Sequence, residues 1–212
     1  MSGVIAWGTP FLGRSAALVP YNKAMKFHRE VLIASTLLAS WLGMQAVHEL
    51  GHVAGAWLTG GSVQRVVLHP LTISRTDLAD NPAPLAVVWA GPLVGILLPL
   101  LLWLATAVCK VPGSFVLRFF AGFCLVANGL YISLGSFGHI GDCGEMLRHG
   151  SQLWQLWLFG LVTVPAGVWL WHGQGAEFGL GKSAKSVSPA IAYTCAAICL
   201  LMMTCEFILA GA

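Results

Sequence analysis

The sequence predicts an all-α, polytopic membrane protein with about five transmembrane helices and one small β-hairpin. Apolar residues make up 57% of the 212 positions and charged residues only 9%, so polar side chains are too few to cover a globule in water. The apolar residues fall in runs of about 20, the length that an α-helix needs to cross a hydrocarbon core of roughly 30 Å. We therefore expect an integral, multi-pass membrane protein.

The predicted organisation follows these apolar runs. An interfacial N-terminal arm covers 1–29, where glycine, proline and basic residues are mixed. The region 30–149 holds three helices and the hairpin, and 150–212 holds two additional transmembrane helices. The predicted bounds of the five helices are 30–58, 84–108, 115–137, about 153–171 and about 189–209.

The predicted hairpin covers 62–76, between the first two helices. Two β-prone runs, SVQRVVL and LTISRT, are separated there by His69 and Pro70. This segment is too polar to span a membrane, and its proline interrupts any single strand. We expect a hairpin with one exposed edge.

The net charge of the chain bears on its partners. A charge of +3 at pH 7 is spread thinly over the sequence and forms no basic stripe of the kind that binds a phosphate backbone. The lipid bilayer is the expected environment, and nucleic acid is not an expected partner.

Residues 48–52 read His-Glu-Leu-Gly-His inside the first predicted span. Residues four apart project from the same face of a helix, so the imidazoles of His48 and His52 can reach one metal ion. This HExxH pattern is typical of zinc proteases, in which the glutamate, here Glu49, acts as general base. The structural alternative is a pair of hydrogen-bonded histidines in a helix bundle.

Catalytic zinc usually has three protein ligands and one open position, so the two histidines require a third partner. Asp142 is the preferred one, because Gly141 and Gly144 permit close approach and a carboxylate near lipid is costly unless it is paired. Alternatively, Asp142 is a solvated carboxylate in a loop. Glu145 is then the other candidate, either as the third ligand or as a hydrogen-bond partner of one of the histidines. The full set of candidates is Asp142, Glu145, His139, His69 and Glu206.

Three motifs in chain order resemble the site-2 protease family of intramembrane zinc metalloproteases. They are HELGH at 48–52, AGPLVG at 90–95, and Asn128 followed by Asp142-Cys143-Gly144. The resemblance covers about 31–147 and implies a three-helix metalloprotease core within 30–149. The chain departs from the family pattern at Gly95, where the family often has Asn, and at Cys143, which interrupts the usual Asp-Gly pair.

By this resemblance, His48, His52 and Asp142 would bind Zn²⁺, and Glu49 would activate water. Asn128 is expected to steady the substrate backbone or the oxyanion, and a hydrogen bond between helices is its structural alternative. The implied enzyme is a zinc metalloendopeptidase that hydrolyses peptide bonds of transmembrane protein substrates, as in regulated intramembrane proteolysis.

Two other functions remain open. The departures from the family pattern favour a proteolytically inactive zinc-binding membrane scaffold or regulatory subunit, although an idle site has no need of Glu49. In a transporter or channel, the HELGH side chains would line an ion path. The sequence specifies neither the substrate nor the oligomeric state.

Overall fold

A computed structural model describes residues 23–211 and confirms the all-α, polytopic class. Within these residues, six α-helices are joined by one two-stranded antiparallel sheet and a short 3₁₀ helix at Gln174–Ala176. Helices α1, α2, α3, α5 and α6 are long and apolar enough to cross a membrane. The bounds are α1 Lys23–Leu58, β1 Ser62–Val67, β2 Arg75–Asp80, α2 Pro84–Val108, α3 Ser114–Gly135, α4 Asp142–Arg148, α5 Leu153–Trp171 and α6 Pro189–Gly211.

Helix α1 begins at Lys23, so 23–29 of the predicted N-terminal arm are helical; the rest of the arm, 1–22, lies outside the described residues. A helix of 36 residues is about 54 Å long at 1.5 Å per residue, which exceeds a hydrocarbon core of about 30 Å. Its charged first turns can therefore lie beyond the apolar layer. Lys26 and Glu30 form an ion pair there at 3.7 Å, a spacing that supports a helix.

The hairpin is present, but its second strand lies later than the predicted 62–76. β1 pairs with β2 in an antiparallel register that places Ser62 opposite Asp80 and Val67 opposite Arg75. The connection between the strands covers 68–74 and contains Pro70, which has no N–H group to donate to a ladder. The remaining transmembrane helices differ from the predicted spans by at most two residues at either end.

The helices are arranged around α1 and α3. α1 packs against α2 and α6, and α3 packs against α2 and α5. Small residues allow α1 and α2 to approach closely: a Cβ atom on Gly51 would lie 2.4 Å from the carbonyl oxygen of Ala90. This contact presses the HELGH face of α1 against the AGPLVG segment of α2.

The short helix α4 was not predicted, and it places Asp142 at its first position. The chain enters α4 through Gly141, whose φ of 59° is a left-handed conformation that favours glycine. Two residues of α4 are fully buried, and they anchor the helix against α2, α3 and α5. The buried cluster consists of Cys143, Met146, Val88, Ile132 and Leu156.

Candidate metal centre

Three of the predicted site residues converge at one point between α1 and α4. The Nε2 atom of His48 lies 2.8 Å from Oδ2 of Asp142 and 3.1 Å from Nε2 of His52. The Nε2 atom of His52 lies 3.4 Å from the same Asp142 oxygen. Both histidines are buried. The HELGH motif and a carboxylate 90 residues further along the chain thus form one cluster.

The other ring nitrogen of each histidine is held by an oxygen. Nδ1 of His48 lies 2.7 Å from Oδ1 of Asn128, and Nδ1 of His52 lies 3.0 Å from the carbonyl oxygen of Val87. The Asn128 amide nitrogen donates to the carbonyl of Cys124 at 2.9 Å, which orients its oxygen toward His48. Since both Nδ1 atoms face acceptors, they carry the protons, and both Nε2 atoms present lone pairs to the cluster.

This donor set fits a zinc ion. Zinc bonds of about 2.0–2.2 Å at tetrahedral angles separate neighbouring ligand atoms by roughly 3.3–3.6 Å. The 3.4 Å separation found here lies in that range, and the 3.1 and 2.8 Å separations would widen by up to about 0.5 Å around an ion. Two imidazole lone pairs and a carboxylate oxygen that face one another repel unless a cation lies between them. Two nitrogens and one oxygen are also the donor types that zinc accepts.

Glycine in the AGPLVG segment makes room for His52. A Cβ atom on Gly91 would lie 2.4 Å from the Cε1 and Nε2 atoms of the His52 ring. A Cβ atom on Gly95 would lie 3.1 Å from the Asn128 amide. The two glycines therefore let α2 pass directly beside one ligand and beside the partner of the other.

Asp142 is held in place by its backbone as well as by its side chain. Its N–H group donates to the Tyr131 hydroxyl oxygen at 3.1 Å. Burial alone would raise the pKa of the Asp142 carboxyl, but when His48 and His52 carry protons on their Nε2 atoms, in place of a bound cation, their hydrogen bonds and charges outweigh burial and hold that pKa below its usual value. The carboxyl group is therefore predisposed to the ionised form that binds a metal ion.

Glu49 is buried beside the cluster and is held by the hairpin. Ser74 Oγ donates to Oε1 of Glu49 and Thr76 Oγ1 donates to Oε2, both at 2.7 Å. The backbone N–H group of Ser74 also donates to the side-chain oxygen of Gln45 at 2.9 Å. Each Glu49 oxygen retains a lone pair for a further partner. Three hydrogen bonds thus fasten the hairpin to one face of α1.

All five predicted site residues line a single cavity of about 890 Å³. Helices α1, α2, α3 and α4 form most of its wall, and the hairpin contributes Gln64 of β1, residues of β2 and residues of the turn between the strands. Buried ligands, a buried carboxylate and an adjacent open volume are what a hydrolytic site requires. The predicted residues in the wall are His48, Glu49, His52, Asn128 and Asp142.

The other candidate ligands lie away from the cluster. Glu145 pairs with Arg148 and His149 on α4. His139 is exposed. His69 stacks edge-on against Phe207 of α6, with 5.5 Å between ring centroids. Glu206 is buried on α6 and interacts electrostatically with His69. Among the described residues, only His48, His52 and Asp142 form a group that could hold a metal ion.

Sequence reasoning missed the residues that support the cluster. Ser74 and Thr76 are two positions apart in an extended segment, so they share one face, and both reach Glu49. Tyr131 lies three residues after Asn128 on α3 and therefore faces the same side of that helix. Gln45 lies four residues before Glu49 on α1. The spacing of these residues along each helix or strand predicts which side chains share a face. It does not predict which neighbouring element that face packs against.

The chain matches a known family of membrane peptidases. The family described as Peptidase M50B-like matches residues 24–137, more than half of the chain, and with five candidate membrane spans this defines a multi-pass membrane protein of the metalloprotease class. The chain belongs to the Peptidase M50B-like group of the site-2 protease family. The matched range includes HELGH and Asn128 and ends before Asp142. No curated protein and no solved structure matches the chain significantly.

Proposed function

We propose that this protein is an intramembrane zinc endopeptidase that hydrolyses peptide bonds of membrane-embedded proteins. One observation carries the proposal: the Nε2 atoms of His48 and His52 and an Asp142 oxygen converge on a cavity that the Glu49 carboxylate also lines. Three ligands leave one position of a tetrahedral ion open, and a carboxylate beside that position is the arrangement used for hydrolysis.

In this proposal, His48, His52 and Asp142 hold the zinc ion. Bound zinc lowers the pKa of water and polarises the substrate carbonyl group. The carbonyl of Val87 and the side chain of Asn128 fix the two imidazoles with their Nε2 lone pairs toward the ion. The ligand set is thus pre-oriented by groups on α2 and α3.

Glu49 is assigned the role of general base and then general acid. It takes a proton from the attacking water and delivers it to the amine nitrogen as the C–N bond breaks. The hydroxyls of Ser74 and Thr76 keep the carboxylate of Glu49 in one orientation. The base is therefore positioned by the hairpin and not only by its own helix.

We assign Asn128 the role of positioning the His48 imidazole, and not that of a hydrogen-bond donor to the oxyanion. It is 1% exposed, its oxygen faces His48, and its nitrogen donates to Cys124. Gly95 of α2 lies directly against the same amide. With both ends engaged and the side chain enclosed, Asn128 acts on the substrate through His48.

The substrate is proposed to be a transmembrane segment that unwinds at the site. A helix in lipid hides its carbonyl groups in internal hydrogen bonds, so cleavage requires an extended stretch. Such a stretch has unpaired N–H and C=O groups, which an exposed strand edge can satisfy. β2 pairs with β1 on one side, and four of its residues, 75–78, line the cavity, so its other edge is the proposed docking strand.

The test is cleavage by the full-length protein and its Glu49→Gln variant in proteoliposomes. The probes are a panel of single-span membrane proteins that carry a tag at each end and glycine or proline in the span. We expect cleavage by the wild type, none by Glu49→Gln, and equal zinc content in both. Glu30→Gln, on the same helix but in its exposed first turns, is the matched control and should cleave as the wild type does.

Three outcomes contradict the proposal. Cleavage by Glu49→Gln at the wild-type rate would show that the base lies elsewhere. A wild type that binds zinc and cleaves no member of the panel would favour the inactive zinc-binding scaffold. Lack of zinc in the purified wild type would contradict both the zinc protease and the zinc-binding scaffold. If replacing His48 also left ion flux unchanged, the transporter or channel would be contradicted as well.

A further inference from the structure

We propose that Tyr131 is a catalytic residue of this protease, and that its hydroxyl donates a hydrogen bond to the carbonyl oxygen of the scissile peptide as that oxygen becomes negatively charged. The proposal rests on the proposed function and assigns a role that no motif of the chain supplies. The hydroxyl keeps its proton throughout. Water oxygen bonds to the carbonyl carbon, the C–N bond breaks, and Glu49 moves the proton to the amine.

The position of Tyr131 places its hydroxyl beside the ligand cluster. The phenol oxygen lies 3.1 Å from the backbone nitrogen of Asp142. The Tyr131 ring meets the His48 ring edge-on, with 6.0 Å between centroids and 71° between planes. Tyr131 is 37% exposed and lines the cavity together with both ligands. The Tyr131 side chain therefore borders the same volume in which a substrate carbonyl group would bind.

The hydroxyl of Tyr131 has a proton to donate. Its oxygen accepts the N–H group of Asp142, and no other hydrogen bond of this side chain occurs among residues 23–211. A phenol is one donor and one acceptor, so the donor side is unused. The Asp142 contact fixes the oxygen in space, which is the preorganisation that oxyanion stabilisation depends on.

The neutral amides in the cavity wall are less suitable donors. Two of the four, Gln64 and Asn81, belong to the hairpin and the turn after it and form no hydrogen bond with the ligand cluster. Asn128 is enclosed, and its oxygen and nitrogen are engaged with His48 and Cys124. The Nε2 atom of Gln45 is buried without a partner, and its oxygen holds the hairpin through Ser74. Asn128 is held away from the cavity by these contacts, and the Gln45 nitrogen, although its N–H groups have no partner, is buried and does not reach the cavity surface.

The cationic groups in the wall are engaged at its rim. Arg75, whose side chain is largely exposed, pairs with the half-buried Asp77. His149 pairs with Glu145 at 3.3 Å. These ion pairs are on the hairpin and at the C-terminal end of α4, whereas the Tyr131 hydroxyl contacts the residue that supplies the proposed third ligand. Tyr131 is therefore the donor that the geometry favours.

The closing experiment compares the wild type, Tyr131→Phe and Tyr193→Phe on a tagged single-span protein that the wild type cleaves. Loss of one oxyanion donor typically lowers kcat by about 100-fold to 1000-fold. We expect a fall of about 100-fold for Tyr131→Phe, with KM, zinc content and melting temperature close to those of the wild type. Tyr193, on α6 against His28, supplies a matched substitution, and its variant should keep full activity.

The outcomes separate the two proposals. Equal kcat for Tyr131→Phe and the wild type overturns the role of Tyr131 and leaves the protease proposal intact. Loss of zinc in Tyr131→Phe, with normal kcat per zinc-loaded molecule, also overturns it and reduces Tyr131 to a support for Asp142. A wild type that cleaves nothing overturns the proposed function and, with it, the role of Tyr131.

Discussion

The Nδ1 atom of His48 lies 2.7 Å from the side-chain oxygen of Asn128, and this hydrogen bond joins α1 to α3 at the ligand cluster. The amide nitrogen of Asn128 donates to the carbonyl of Cys124, so the oxygen is fixed toward the imidazole. The contact is a hydrogen bond between helices, and its partner is a predicted metal ligand. Zinc affinity should therefore depend on a residue that does not touch the ion.

Replacing Asn128 by leucine should weaken zinc binding without removing a ligand. Leucine has a similar size but cannot accept the Nδ1 proton of His48, so the imidazole loses its preferred tautomer and orientation. Losses of this kind lower metal affinity by about 10-fold to 100-fold. The measurement is competition between the purified protein in detergent and a zinc-binding dye.

Asn128→Asp is the control for this prediction. Aspartate keeps an oxygen opposite Nδ1 of His48, and carboxylate-histidine-zinc arrangements are common. We expect its zinc affinity to stay near that of the wild type. If the leucine variant binds zinc as tightly as the aspartate variant does, the hydrogen bond has no role in the metal site.

The hydroxyls of Ser74 and Thr76 should affect the rate of hydrolysis and not the metal content. Hydrogen bonds to a charged group contribute about 1.5–3 kcal/mol, and about 1.4 kcal/mol corresponds to a tenfold change in rate. The double variant Ser74→Ala, Thr76→Val should therefore lower kcat by about tenfold or more, because Glu49 loses both of its partners. Steady-state kinetics and zinc analysis of the same preparation test this.

A second double variant controls for general damage to the hairpin. Ser62 and Thr72 lie in the same segment, and neither hydroxyl contacts Glu49. Ser62→Ala, Thr72→Val should leave kcat unchanged. Equal losses in the two double variants would mean that hairpin stability, and not orientation of the base, limits the rate.

The local part of the site could be predicted because it lies within one helix. The four-residue spacing of His48 and His52 determines that their side chains share a face wherever the helix lies. The apolar runs likewise predicted the five helices, since span length follows from bilayer thickness. The hairpin was predicted in kind, but its second strand was misplaced because the pattern of LTISRT is compatible with either a strand or a turn.

The tertiary part of the site could not be derived in this way. Asp142 and Glu145 lie three residues apart, and the sequence does not show that α4 turns only the first toward α1. That choice depends on the burial of Cys143 and Met146 against three other helices. The hairpin contact with Glu49 was missed for a similar reason: hydroxyl residues occur throughout polar loops, and only the packed structure selects two of them.

Gly91→Ala should disrupt the metal centre by displacing His52. The added Cβ would lie 2.4 Å from two ring atoms of a buried imidazole, and overpacking of this kind typically costs about 1–3 kcal/mol. We expect loss of most bound zinc and a lower melting temperature. Gly43→Ala on α1 is the control, because its Cβ would meet only side-chain ends of Phe120 and Met202, at 3.1 Å or more. Full zinc content in Gly91→Ala would show that His52 is not a ligand.

The third ligand can be identified by comparing Asp142→Ala with Glu145→Ala. Asp142 contacts both histidines, whereas Glu145 lines the same cavity but pairs with Arg148 and His149. A ligand that binds only the folded state stabilises it by about 2.7 kcal/mol at 100 times its dissociation constant. Added zinc should therefore raise the melting temperature of the wild type and of Glu145→Ala equally, and should not raise that of Asp142→Ala. The opposite pattern would assign the third ligand to Glu145, and a shift in both variants would leave His48 and His52 as the only protein ligands among the residues proposed here.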